Sequence, residues 1–254
     1  MTLTRRLVVC LDVKDGRVVK GTRFTNLRDV GDPAALASRY EAEGADEIVF
    51  LDISASPEGR DILLGVVERT AERLFIPLTV GGGIRTVADV ARTLRAGADK
   101  VAINSAAVDR PGLLSDAALV FGSQCVVSSI DAKCSGRMWR VFTHGGRVAT
   151  DLDAIHWARA SASHGAGEIL LTSVDRDGSR DGYDIELTRS VADAVDVPVI
   201  ASGGAGSARD VVAAMESGRA DAALVAGIVH DGSVTIAEMK ACMRAASLPV
   251  RNAA

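Results

Sequence analysis

The chain has 254 residues, of which 48% are hydrophobic but only 4% aromatic, and its formal net charge is −4 at neutral pH. That length suits one domain with a large core, and the scarcity of aromatics favours packed aliphatic strands. The acidic balance, with no run of about five or six Lys/Arg, argues against a nucleic-acid partner, and the lack of an apolar stretch of about 18 residues argues against a membrane span. Met1 to Arg6 carry no apolar signal region, so a cytoplasmic protein is expected.

In chain order, short apolar runs predict strands at Leu7–Asp12, Glu47–Ile53, Pro77–Gly81, Val101–Asn104, Cys125–Asp131, Glu168–Ser173, Pro198–Ser202 and Ala222–Gly227. Helices between them begin with recognisable caps. Asp32-Pro33 is one, and Thr86/Asp89, Ser207/Asp210 and Thr235/Glu238 have capping-box spacing. Gly44, Gly97, Gly165 and Gly218 suit the left-handed position that ends a helix. Eight strand–helix alternations predict an α/β fold, a single (β/α)8 TIM barrel over residues 1–254.

The second half resembles the first when slid by roughly 120 residues. Leu11-Asp12-Val13-Lys14 matches Ile130-Asp131-Ala132-Lys133, and Ile76-Pro77 with Gly82-Gly83 matches Val197-Pro198 with Gly203-Gly204. The simplest reading is an internal two-fold half-barrel repeat, about 1–122 and 123–254. Two connections are long for a barrel. Val13–Gly31 carries five Lys/Arg, including Lys20, and reads as a lid or binding loop; Ala132–Thr150 contains a possible hairpin at Met138–Phe142.

Each half contributes a Gly-rich turn leading into a helix, Gly81-Gly82-Gly83 and Ser202–Gly206. Glycine allows the backbone to approach an anion, and a helix N-terminus offers N–H donors. Asn104-Ser105 and Ala226-Gly227 end the neighbouring strands with small residues. A ligand bearing two phosphates is therefore expected across the mouth. Asp12 and Asp131 end strands one and five, where barrels keep catalytic groups, and a carboxylate pair can divide general acid and base work. Thr172 or Ser173 would point into the mouth.

Other clusters are weaker. Asp175–Gly182 alternates acids like a calcium loop, but Arg180 stands at the sixth position where glycine is needed. The four histidines have no ligand spacing, so no metal and no cofactor are expected. Cys10 and Cys125, inside apolar runs, read as buried thiols. At the other end of the barrel Arg6, Glu47, Lys100 and Glu168 start their strands and could meet as a charged ring.

These segments resemble the family of cyclase subunits of imidazole glycerol phosphate synthase, of histidine biosynthesis, from about Arg6 to His230. The most specific stretches are Cys10–Gly21, Val49–Ile53, Gly81–Arg85, Asn104-Ser105, Ile130–Lys133, Thr143–Gly146 and Asp175–Gly178. The resemblance implies an ammonia-dependent lyase. Its substrate would be a bisphosphorylated ribulosyl formimino-aminoimidazole carboxamide nucleotide, and its products imidazole glycerol phosphate and aminoimidazole carboxamide ribotide. It assigns acid/base catalysis to Asp12 and Asp131. One phosphate falls to Gly83, Asn104 and Ser105, the other to Asp177, Gly178, Gly204, Ala226 and Gly227, with Lys20 reaching in from the lid. Arg6, Glu47, Lys100 and Glu168 match the family's ammonia gate, beneath which a separate glutaminase subunit would dock to form a heterodimer. Gly227 departs from the family pattern, where serine is expected, and the tail after Ser247 is given no assignment. Two rival readings remain: the sister isomerase of the same pathway, and a non-catalytic scaffold that binds phosphorylated metabolites.

Overall fold

The computed structural model describes residues 3–22, 25–55 and 62–251. Its strands are β1 (Arg6–Lys14), β2 (Arg17–Thr22), β3 (Thr25–Gly31), β4 (Glu47–Asp52), β5 (Leu78–Gly81), β6 (Lys100–Ile103), β7 (Val126–Ser135), β8 (Met138–Thr143), β9 (Val148–Asp153), β10 (Glu168–Ser173), β11 (Val199–Ser202) and β12 (Ala222–Val225). Parallel pairing runs β10-β11-β12-β1-β4-β5-β6-β7, and β7 pairs back with β10, so eight strands close into a barrel. In this order β1 lies opposite β7, and the β5–β6 pair lies opposite β11–β12. The helices are α1 (Pro33–Ala42), α2 (Leu64–Ala71), α3 (Val87–Arg95), α4 (Ser105–Asp109), α5 (Gly112–Phe121), α6 (Ala154–Ser163), α7 (Ile185–Ala192), α8 (Ala208–Glu216), α9 (Gly227–His230) and α10 (Ile236–Ala245). None of these described helices is long and apolar enough to cross a membrane.

All eight expected barrel strands are present. β1 and β7 run past their expected ends because each folds back into an antiparallel ribbon, β1-β2-β3 and β7-β8-β9. The long connection after the first strand is thus sheet rather than open loop, which gives its backbone groups partners and aims Lys20 and Arg28 at the barrel mouth. The hairpin expected within 132–150 is β7–β8, extended by β9.

The capping aspartate and the three capping boxes form as expected, each satisfying N–H groups that the first turn cannot. Gly44, Gly97 and Gly165 take positive φ after their helices. Gly218 does not: Arg219 adopts the left-handed conformation instead. Glycine is required at 218 for closeness, since an added Cβ would collide with the Ala214 carbonyl.

The core has two tiers. Inside the barrel Val8, Cys10, Val49, Ala102, Val127, Leu170, Ile200, Ala222 and Leu224 form a narrow apolar plug. Larger clusters between strands and helices contain Phe50, Tyr40, Leu113 and Trp157. Full burial of one such aliphatic or aromatic side chain contributes roughly 1.5–3 kcal/mol, so most of the stability lies in this outer tier. Cys125, expected to be buried, is only half-buried, because it ends a 3-10 turn just before β7.

The chain's end closes the lower face. Buried Lys240 donates to Asp46 Oδ1 at 2.7 Å and to the Arg251 carbonyl at 3.2 Å, while Asp46 Oδ2 accepts the Leu7 N–H at 2.8 Å. The Arg5 N–H donates to the Pro249 carbonyl at 2.7 Å, and Arg5 and Val250 form a parallel bridge. The segment after Ser247 therefore lies along the start of β1.

Candidate active site

A cavity of about 490 Å³ opens at the C-terminal ends of the barrel strands. Asp12, Lys20, Gly83, Asn104, Ser105, Asp131, Asp177, Gly178, Gly204, Ala226 and Gly227 all line it. So does Thr172, whereas Ser173 points away from the mouth and is bonded to Asp184. Barrel strands alternate inward and outward residues, so one residue of register separates these two roles.

The ends of the cavity repeat one another. Gly82 and Gly203 have φ of +100° and +90°, and a Cβ there would collide with the Asp52 or Ser173 carbonyl, so each turn requires glycine. Beyond each turn, however, the helix start is already occupied. Asp89 accepts from the N–H groups of Arg85 and Thr86, and Asp210 from those of Gly206 and Ser207. The N–H groups at the starts of α3 and α8 are thus engaged, while the glycine turns and the first residues of α4 and α9 line the cavity. The Ser105 hydroxyl accepts from the His144 N–H at 2.9 Å, which leaves its own O–H to donate into the cavity.

Asn104 lines the cavity, and its Nδ2 donates to Asp131 Oδ2 at 3.0 Å, so its amide steadies a carboxylate. Asp177 lines the cavity as well. Its N–H donates to the Ser173 carbonyl at 3.0 Å, and its negative side chain raises the pKa of both Asp12 and Asp131.

Burial pushes the Asp131 carboxyl up to about 7, and Asp177 adds to the rise; the Asn104 amide and the Gly146 N–H oppose it. Asp12 is raised by burial too, with Lys20 opposing and Asp177 reinforcing. The Cys10 thiol beneath donates to Asp12 Oδ1 at 3.5 Å, and burial, then Asp12, holds that thiol well above its ordinary range. Cys10 is thus a neutral floor to the site.

His230 has a structural assignment. Its Nε2 lies 3.1 Å from the Cys10 carbonyl, which can only accept, so Nε2 carries the proton and Nδ1 accepts from the Tyr40 hydroxyl at 2.7 Å. Burial lowers His230 to about 4 and keeps it neutral. The pair ties α9 to β1 beside Asp12.

At the opposite end the four expected charges meet. Arg6 Nη1 donates to Glu47 Oε2 at 2.8 Å and Arg6 Nη2 pairs with Glu168; Lys100 Nζ bonds Glu47 at 2.9 and 3.1 Å and Glu168 at 2.8 Å. Thr79 adds a donor to Glu47 at 2.7 Å. The Glu47 and Glu168 side chains are only 1% and 6% exposed, a burial that two carboxylates tolerate because each has both cations.

Arg28, Arg85, Arg147 and Arg180 also line the cavity and were not among the expected site residues. A single arginine in a loop has no periodicity to mark it. For Arg28 and Arg147 the available signal was the cationic excess of the two long connections; Arg85 and Arg180 lie outside them.

The family model for histidine biosynthesis proteins matches residues 6–235. Imidazole glycerol phosphate synthase subunit HisF of Myxococcus xanthus (strain DK1622) is 68% identical over 250 residues, covering 98% of this chain and 99% of that protein. With a closed barrel, paired aspartates and a charged floor in place, the chain belongs to the histidine biosynthesis protein family, alongside the HisF subunits of imidazole glycerol phosphate synthase.

Proposed function

We propose that the chain is the cyclase subunit of imidazole glycerol phosphate synthase, a lyase of histidine biosynthesis. It joins ammonia to the bisphosphorylated ribulosyl formimino-aminoimidazole carboxamide nucleotide and releases imidazole glycerol phosphate and aminoimidazole carboxamide ribotide. The observation that carries this reading is the placement of Asp12 and Asp131 on opposite strands of one cavity whose ends are repeated glycine turns. Each half-barrel, about 1–122 and 123–254, supplies one phosphate end and one aspartate.

Ammonia adds to the substrate ketone, water leaves to give an imine, and ring closure expels the ribotide amine. Every step moves a proton at the middle of the substrate. Asp131, titrating near neutrality, gives a proton and takes it back; Asp12, whose charge Lys20 supports, accepts one. Gly83 and Ser105 hold one phosphate, with Asn104 positioning Asp131. Asp177, Gly178, Gly204, Ala226 and Gly227 hold the other, assisted by Lys20. Arg6, Glu47, Lys100 and Glu168 form a gate that admits ammonia from a glutaminase subunit docked on the lower face. The complex is cytoplasmic.

The test is direct. The purified chain, given an ammonium salt and the bisphosphate, should form imidazole glycerol phosphate and aminoimidazole carboxamide ribotide in equal amounts. Isomerisation of the aminoaldose precursor without cyclisation would overturn the proposal in favour of the sister enzyme.

A further inference from the structure

The two phosphate ends are not equally furnished. At the Asn104 end Ser105 offers a hydroxyl; at the matching position of the other end stands Gly227, which has none. The space that a side chain would fill there is approached by cations. A Cβ built on Gly227 would lie 2.9 Å from Lys20 Cε, 3.7 Å from Lys20 Nζ and 3.6 Å from Arg180 Nη2. Lys20 comes from β2 and Arg180 from the loop between β10 and α7, and both line the cavity.

Arg180 is held in this pose from two sides. Its backbone has φ of +63°, an uncommon conformation for a residue with a side chain, and Gly206 lies so close that a Cβ there would strike the Arg180 carbonyl. Its guanidinium is ion-paired with Asp231, the residue that ends α9. Although slight burial pulls the other way, hydrogen bonds from Ser233 and Arg180 hold the Asp231 carboxyl down to about 2, so the pairing persists at any physiological pH. A guanidinium has five N–H donors, and one carboxylate leaves several for a ligand.

We infer that Arg180 is a ligand of the phosphate at the Gly204–Gly227 end, supplying with Lys20 the donors that a hydroxyl supplies at the opposite end. The inference rests on the reading that the ligand carries a phosphate at each end. A planar fork matches phosphate geometry and forms charge-assisted bonds, stronger than those from a neutral hydroxyl. This end thus offers a guanidinium fork beside the Lys20 ammonium.

Arg180→Met and Arg180→Lys decide it. Arg180→Met should raise the KM for the bisphosphate about tenfold while kcat falls less than threefold, and Arg180→Lys, which keeps the charge but loses the fork, should fall between it and the native protein. An unchanged KM in Arg180→Met, or a fall in kcat with KM unmoved, overturns the inference. Should Arg180→Met fail to fold, Arg180→Lys alone suffices: an unaltered KM overturns it. Calorimetric titration with inorganic phosphate separates this inference from the broader reading. If the native chain has no ammonia-dependent turnover, that reading fails, yet Arg180→Met should still weaken one phosphate site and spare the other; affinities at both sites unchanged from the native chain overturn the assignment of Arg180.

Discussion

Asp12 and Asp131 stand at matching places in the two halves of the barrel, on strands facing one another across the mouth, yet their neighbours differ. Asp131 receives the Asn104 amide and the Gly146 N–H and has no cation opposing its rise, so it titrates at about 7. The residue matching Asn104 is Ala226, which has nothing to give Asp12; Asp12 has instead the Lys20 charge and the Cys10 thiol. The floor repeats this lesson. Glu47 and Glu168 are repeat mates, but Arg6 and Lys100 both come from the first half, their counterparts by the same alignment being Cys125 and Ala222. The repeated backbone fixes where groups stand, and unrepeated side chains fix their protonation and their pairing.

Removing each carboxylate is the strongest way to break this comparison. Asp12→Asn and Asp131→Asn should each lower ammonia-dependent turnover by roughly 10²–10⁴-fold, with binding of the bisphosphate kept within about tenfold. Turnover unchanged in either variant would remove that residue from the catalytic pair. Stability should respond unequally. The folded pKa of Asp131 is raised from 3.8 to about 7, so its proton is held more tightly when folded, and its ionisation costs stability progressively as pH rises between those values. Asp131→Asn should therefore be more stable than the native protein by on the order of 2–4 kcal/mol at pH 8, and the gain should vanish toward pH 4. Denaturant unfolding at both pH values measures this, and a gain independent of pH would contradict it. The smallest effect concerns Asn104. Its hydrogen bond favours the charged form of Asp131, so Asn104→Ala should move the alkaline limb of the pH–rate profile, where the acid loses its proton, upward by about one unit. A limb that stays in place would mean that Asp131 does not govern it.

Much of this molecule was legible in its sequence because it depends on local rules. Strand spans follow from apolar runs, and helix starts from Thr86, Ser207 and Thr235 with their partners three residues on. The mouth residues followed from strand ends in a barrel. What escaped were relations between distant segments. Nothing near Asn104 in sequence shows that its amide faces Asp131, 27 residues away. Arg180, like Lys240, acquires its role only when loops from elsewhere close around it. Gly218 was placed correctly at a helix end but for the wrong reason, since the need there is for closeness and not for a left-handed turn.

The buried pair of Lys240 with Asp46 joins residues 194 apart in the chain. Asp46 sits beside the first strand, while the cation that pairs with it comes from α10, made much later. A nascent chain that has not reached Lys240 holds a carboxylate that must either remain wet or be sealed in without a counter-charge, at a cost of several kcal/mol. The lower face beside β1 therefore cannot shut to full advantage before α10 has been made and has docked. A truncated product is left ajar at the lower face, open to the proteases that clear incomplete chains.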